Sequence, residues 1–428
     1  MRIMFVGDTL HGITGLGYAM LNIINGLNNK YNDLEIIYCT FTGTPSIKED
    51  YNYHGDIYKD LFDKIEFVSC NINDQNKKSI FDSLIKKHKP ELVFSFTDPW
   101  YLEPIAYCDY RNSFKWISYT TFEVHEYPEL IPFPSILHYN RLNIKTILQK
   151  CDVCIPVTKF GKKILNDWEC KTSDNIYLGL DHHLKVEKNT YTKSQIFGKS
   201  VADDDFIFMV LGKNTERKRI DFSIKAFQLF LNKYVSEDKR NKYKLYVHSD
   251  INQTYDSGTD LLTMIIKSGI ANNILSSKDL TEGRELTKDS LFERYSVIDC
   301  YIGLPFGEGF GYGCADAILH GKPIIHSMNN AIYEIFESCG LFVNTVCKIS
   351  ARNSFIEFNV PDITEASHLM SDMVNYIETN SEVFQWFTKN CEEISNELTW
   401  ENCANSFDIE IIKVMKDYKA PSFYMRRI

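Results

Sequence analysis

The sequence predicts an α/β protein made of two doubly wound, Rossmann-like parallel-sheet lobes facing a central cleft. Three observations carry this. Short continuous apolar runs alternate with amphipathic stretches, the mark of strands buried on both faces and separated by helices. The alternation lapses into a polar stretch without periodicity near residue 190 and then restarts. Finally, 428 residues exceed what one core supports and suit two domains of about 200 residues each.

Taken in order, "RIMFVGD" reads as a strand, and "GLGYAMLNIINGLNNKY" as a helix with apolar positions three to four apart. "LEIIYCTF", "ELVFSFTD", "KWISYTTF" and "CDVCIPVT" continue as strands, with "SIFDSLIKKHK" as an intervening helix, and "NIYLGLDHH" closes the first half. These make an N-terminal lobe of residues 1–185. Residues 186–200 are expected as a linker. "DFIFMVLG", "YKLYVHSD", "DCYIGLP" and "KPIIHSM" then read as strands, and "RIDFSIKAFQLFLNKYV" and "SLFERYSVI" as helices, giving a C-terminal lobe of residues 201–399. Residues 400–428 contain a long amphipathic helix, expected to return toward the N-terminal lobe.

The formal charge of −10 argues against nucleic acid or an anionic membrane surface as the main partner. A polyanion site in this chain must therefore be a local basic cluster. No apolar run approaches the ~18 residues that span a bilayer, and no charged-then-apolar leader follows Met1. Twelve cysteines sit mostly within apolar runs, which suits reduced, buried thiols and a cytoplasmic setting. Cys151 and Cys154 form a Cys-x-x-Cys inside a strand pattern, with no second ligand pair to make a zinc site.

The segment "PFGEGFGYGCADAILHGKP", residues 305–323, packs five glycines and two carboxylates into nineteen positions. In open α/β sheets, ligands sit beyond the carboxyl ends of the strands, so Glu308 should project into the cleft. Gly309, Gly311 and Gly313 would let the main chain approach a ligand without Cβ obstruction. A helix should follow, ending at Gly321, and its free N–H groups would suit a phosphate. Asp316 is expected in the first turn, where it could accept hydrogen bonds from a ribose. A second loop, "LGKNTERKRIDF", crowds Lys213, Arg217, Lys218 and Arg219 at the carboxyl end of a strand and the start of a helix. Basic residues are unfavourable there without an anion to meet them. Fixed cations would also favour the charge that a departing pyrophosphate acquires.

These segments, with "NIYLGLDHH" and "LTWENCANSF", resemble the retaining glycosyltransferases of family 4, which have the GT-B fold. The family's glutamate, seven residues and second glutamate stand here as Glu308 and Asp316. The resemblance implies that Glu308 contacts the donor sugar and Asp316 the ribose. It also implies that Lys213 with Lys218, or Arg217 in place of Lys218, holds the donor phosphates. Gly309, Phe310 and Gly311 would supply the main-chain part of that phosphate site, and Gly212 would lie against the nucleotide. The base would lie near residues 280–286, with Leu280, Arg284 and Leu286 as candidates.

In the first half, Gly12, Gly15 and Gly17 stand between the first strand and helix. Their spacing is Gly-x-x-Gly-x-Gly, and the second strand ends without a ribose-binding acid, which disfavours a nicotinamide site. In the resembled family this turn faces the donor phosphates, which nominates Gly15 and Gly17. "TTFEVHEYPEL" follows a strand, and the resemblance places His125, or else Glu123, near the reacting carbon. Asp98, Trp100 and Tyr101 at another strand end suit a sugar or acceptor hydroxyl. Asp203, Asp204 and Asp205 precede a strand and read as solvated. The adjacent His182 and His183 are poorly placed to converge on one ion.

The expectation is a retaining hexosyltransferase that moves a sugar from a UDP- or GDP-linked donor to a glycan, lipid or protein-linked hydroxyl. It would use no cofactor and no metal, have no nucleic-acid partner, and touch a membrane peripherally if the acceptor is a lipid. An epimerase or phosphorylase on the same fold, or a non-catalytic nucleotide-sugar or glycan-binding protein, are the rival readings.

Overall fold

The computed structural model describes residues 1–10, 14–124, 144–252, 258–276, 287–350 and 357–421. The chain divides into two compact units. One comprises Met1–Phe122, Pro128–Gly179 and Trp400–Ile428; the other comprises Glu123–Tyr127 and Leu180–Thr399.

The first unit holds β1 (Arg2–Asp8), β2 (Glu35–Thr42), β3 (Ile65–Ser69), β4 (Leu92–Phe96), β5 (Lys115–Thr120) and β6 (Val153–Pro156). They form one parallel sheet in the order β3-β2-β1-β4-β5-β6. Strand order reverses between β1 and β4, the place where such sheets open a crevice. The central strands are largely apolar because helices cover both faces: Ile3, Met4, Phe5 and Val6 are wholly buried. The Gly15–Lys30 helix begins where the Thr14 hydroxyl accepts from the Gly17 N–H at 3.1 Å. The Trp400–Met415 helix packs on it so tightly that a Cβ on Gly26 would lie 2.5 Å from that of Ala404. Phe407 of the same helix wedges edge-on against Phe94 (5.2 Å) and Tyr119 (4.8 Å).

The second unit repeats the plan. β7 (Phe206–Leu211), β8 (Tyr243–His248), β9 (Ile274–Ser276), β10 (Cys300–Gly303), β11 (Ile324–Ser327) and β12 (Gly340–Val343) pair in parallel in the order β12-β11-β10-β7-β8-β9. The reversal lies between β7 and β10. An antiparallel pair, Thr345–Ser350 with Glu357–Pro361, follows β12. Among the described residues no helix is long and apolar enough to cross a membrane.

Residues 186–200, expected as a linker, instead belong to the second unit. Thr192 and Gln195 form a capping box that starts a Lys193–Phe197 helix. Lys193 bonds Asp299 Oδ2 at 2.7 Å, and Phe197 packs on Tyr246 with ring centroids 5.1 Å apart. The stretch reads as polar because its caps and ion pairs, rather than an apolar stripe, hold it down.

Candidate functional site

Two loops leave the carboxyl ends of β7 and β10 side by side, because those strands flank the reversal of the second sheet. The loop after β7 carries Gly212 to Arg219. Its main chain is tied to the loop after β10 by the Phe306 N–H donating to the Arg217 carbonyl at 2.8 Å. Arg217 Nη1 donates to the Gly307 carbonyl at 2.8 Å and to Glu308 Oε2 at 3.2 Å, and its Nε meets Glu123 Oε2 at 3.0 Å. Lys218 Nζ bonds Glu308 Oε1. The basic elbow and the glycine turn are therefore one site.

Of the remaining basic residues, Arg219 is engaged elsewhere. Arg219 bonds Asp221 at 2.7 Å and stacks over Phe222 and Phe306, serving the start of the Ile220–Tyr234 helix. Lys213 is exposed at the strand end. Asn214 pins this loop by donating to the Thr259 carbonyl at 2.7 Å. Gly212 lies against Ile220 and Lys218.

Glu308 is buried, and burial alone would raise its pKa. Lys218 and then Arg217 outweigh it and hold the carboxyl down at about 2. It is thus a carboxylate at any working pH, able to accept hydrogen bonds and unable to donate a proton. Glu123 shifts the other way: burial raises it, Arg217 opposes, and the Glu308 charge adds to the rise. Sequence reasoning missed His326 at the end of β11, whose pKa is lowered by burial to about 4 and which feels both Glu308 and Lys218. A histidine inside the apolar "KPIIHSM" was the available signal.

The glycines have a different explanation from the one expected. A Cβ on Gly307 would lie 2.2 Å from the Glu123 carbonyl oxygen, and one on Gly313 would lie 2.5 Å from the Tyr301 hydroxyl. Gly311 caps the following helix at φ +75°, where a Cβ would strike Ile332 at 2.5 Å. The chain's own packing therefore requires these three. What remains for a ligand is the main chain itself: among the described residues, the amides of Gly309, Phe310 and Gly311 have no acceptor. They lead into the Tyr312–Leu319 helix, whose positive end favours an anion. Its other end closes on Gly321 at φ +68°, with Lys322 N–H bonding the Ala317 carbonyl at 3.0 Å.

Asp316 lies one turn further along than expected. The helix begins at Tyr312, so its first turn holds no acid and Asp316 occupies the second. It is only 4% exposed, and its Oδ1 has no hydrogen-bond partner. Burial pushes its pKa up to about 7, against the pull of Lys288 and with a further push from Asp181. Lys288 is itself ion-paired to the buried Asp181 and lies over the rings of Phe292 and Tyr312. Neither Asp181 nor Lys288 was singled out from the sequence. His125 and the base-site candidates Leu280, Arg284 and Leu286 lie outside the described residues.

In the first unit, Gly17 packs against the chain, since a Cβ there would meet the Thr9 carbonyl at 2.4 Å; Gly15 opens the helix, exposed. Asp98 precedes a short Pro99–Tyr101 turn, with the half-buried Trp100 and Tyr101 rings edge to face at 5.8 Å. A further carboxylate, unforeseen, stands between them at the reversal point. Asp8 Oδ1 accepts from Thr42 Oγ1 at 2.6 Å and from Thr97 Oγ1 at 2.8 Å, so the ends of β2, β1 and β4 converge on one oxygen. A bulge at Gly7–Asp8 sets that register.

Several features have purely local roles. Asp203 accepts from the Ser194 N–H, Asp205 from the Ala202 N–H, and His182 bonds the Ser395 carbonyl. Cys151 and Cys154 are buried free thiols. Among the described residues no group of three or more His, Cys, Asp or Glu is arranged to hold a metal ion.

No protein-family model matches the chain, and no curated protein matches it. Solved structures do. Anabaena HepE in complex with UDP-glucose is similar over 96% of this chain and 100% of that one, with TM-score 0.68 and 12% identity. Sucrose-phosphate synthase from Thermosynechococcus elongatus covers 97% and 100% at TM-score 0.65 and 13% identity. WaaG, a glycosyltransferase involved in lipopolysaccharide biosynthesis, covers 95% and 99% at TM-score 0.65 and 13% identity. The likeness is one of fold: the chain has the two-sheet GT-B architecture.

Proposed function

We propose that the protein is a glycosyltransferase that takes a sugar from a nucleotide diphosphate donor, with UDP-glucose the first donor to test, and retains the anomeric configuration. The observation that carries this is the joining of the β7 and β10 loops into one site. Arg217 and Lys218 stand there beside three unpaired amides, at the reversal point of a parallel sheet. Amides and cations together fit a diphosphate, and the GT-B architecture is shared with HepE, whose structure holds UDP-glucose.

On this reading Arg217 and Lys218 bind the donor diphosphate and stabilise the charge that grows on it as the bond to the sugar breaks. Glu308, fixed as a carboxylate, accepts hydrogen bonds from sugar hydroxyls. Asp316 accepts from the ribose through the oxygen that now lacks a partner. The acceptor enters on the face the diphosphate leaves, and the diphosphate takes its proton, so no side chain need form a covalent intermediate. Positive charge for the leaving group comes from the protein, and turnover is expected to persist in excess chelator. Membership of family 4, a carbohydrate, lipid or protein-linked acceptor, and a cytoplasmic setting complete the proposal.

The test is binding followed by chemistry. UDP-glucose at ten times its dissociation constant should stabilise the protein by ~1.4 kcal/mol, and free UDP should accumulate on incubation. Glu308→Gln should slow that release about a hundredfold, ~3 kcal/mol. Binding without UDP release would indicate a non-catalytic nucleotide-sugar-binding protein. Release that requires inorganic phosphate would indicate a phosphorylase, and C-epimerised donor an epimerase.

A further inference from the structure

Among the described residues, the Arg217 guanidinium serves two tasks. Its Nη1 serves Glu308 and the Gly307 carbonyl, both on the loop that carries the unpaired amides. Its Nε is given to Glu123 at 3.0 Å. Glu123 is in turn fixed by its main chain, because its carbonyl oxygen sits where a side chain on Gly307 would have to go. A guanidinium is planar and rigid, so anchoring Nε sets the direction in which both terminal nitrogens point. Lys218, a point charge on a flexible stem, has no comparable anchor and bonds Glu308 alone among the described carboxylates.

We infer that Glu123 is a positioning residue that locks the Arg217 guanidinium through Nε, so that its terminal edge is held at the Gly307–Glu308 loop, where the diphosphate would bind. This rests on the donor reading of the site, and it replaces the role near the reacting carbon that the sequence suggested for Glu123. Glu123 then acts on nucleotide binding only through Arg217. Among the described residues, Arg217, Glu308 and Lys218 act on its charge. Its effect should vanish when Arg217 is absent, which a general structural role would not produce.

The experiment is a double-mutant cycle on UDP affinity, with wild type, Glu123→Ala, Arg217→Ala and the double variant, each verified as folded by circular dichroism. Glu123→Ala should weaken UDP binding about tenfold when Arg217 is present and less than twofold when it is absent. Glu123→Gln, which keeps an acceptor for Nε, should stay within threefold of wild type; it also serves if the alanine variant fails to fold. Equal effects of Glu123→Ala in both backgrounds, no effect in either, or a tenfold loss in Glu123→Gln would overturn the inference. If wild type binds no UDP, the donor reading has failed. The cycle is then run with inorganic pyrophosphate, where the same pattern supports the Glu123–Arg217 lock and its absence rejects it.

Discussion

On the proposed function, Asp316 serves binding at the expense of folding. Its carboxyl titrates near 3.9 in an unfolded chain and near 7 in the fold. The folded state therefore holds a proton that the unfolded state releases. Below about pH 4 both forms are protonated and Asp316 contributes nothing. As pH rises from about 4 to about 7 the unfolded chain ionises first, and stability falls by up to ~4 kcal/mol, about three pH units at ~1.4 kcal/mol each. Asp316→Asn removes this slope. Urea unfolding at pH 5 and pH 8 should show the variant gaining on wild type, with the larger gain at pH 8, while UDP affinity drops. A pH-independent difference would mean that the Oδ1 environment is not as described. Glu308 has the same burial and the opposite shift because two cations touch it. On the proposed function, one carboxylate keeps a permanent charge and the other accepts from the donor ribose.

At the scale of elements, the Trp400–Met415 helix matters more to the first unit than its place at the end of the chain suggests. Phe407 is fully buried between Phe94 of β4 and Tyr119 of β5, and the Gly26–Ala404 contact brings two helix backbones together. Phe407→Ala leaves an aromatic-sized hole beneath the sheet and should cost 3–5 kcal/mol of unfolding free energy, at the ~3–5 kcal/mol scale of such truncations. Chemical denaturation followed by tryptophan fluorescence would measure it. A loss below ~1 kcal/mol would mean that the helix is dispensable to that core. Trp400 itself packs on Gly179, where a Cβ would sit 2.5 Å from the Trp400 nitrogen.

For the whole molecule, most of the parallel strands were legible because continuous apolar runs such as "FIFMVL" and "IMFV" are buried on both faces. The short β3, β9 and β12 were not, since many of their residues are half-exposed. Nor were the helices Ile363–Glu378 and Glu382–Glu397, although Asp362 and Ser381 cap them. In the site, Glu308 and the basic elbow could be read from charge and spacing. Asp8, Asp181 and Lys288 could not, since each gains its meaning only when distant strand ends or helices meet. The glycines were visible, but their reason was not: clashes with Glu123, Tyr301 and Ile332 are properties of the folded chain. In a chain of net charge −10, the account stands on Arg217 and Lys218 being a local seat for a diphosphate. The most direct measurement is calorimetric titration of UDP into wild type and the Arg217→Gln, Lys218→Gln double variant. The account predicts affinity at least a hundredfold weaker in the double variant, ~2.7 kcal/mol, with the loss shrinking at high salt. UDP binding of unchanged affinity in that variant would contradict it.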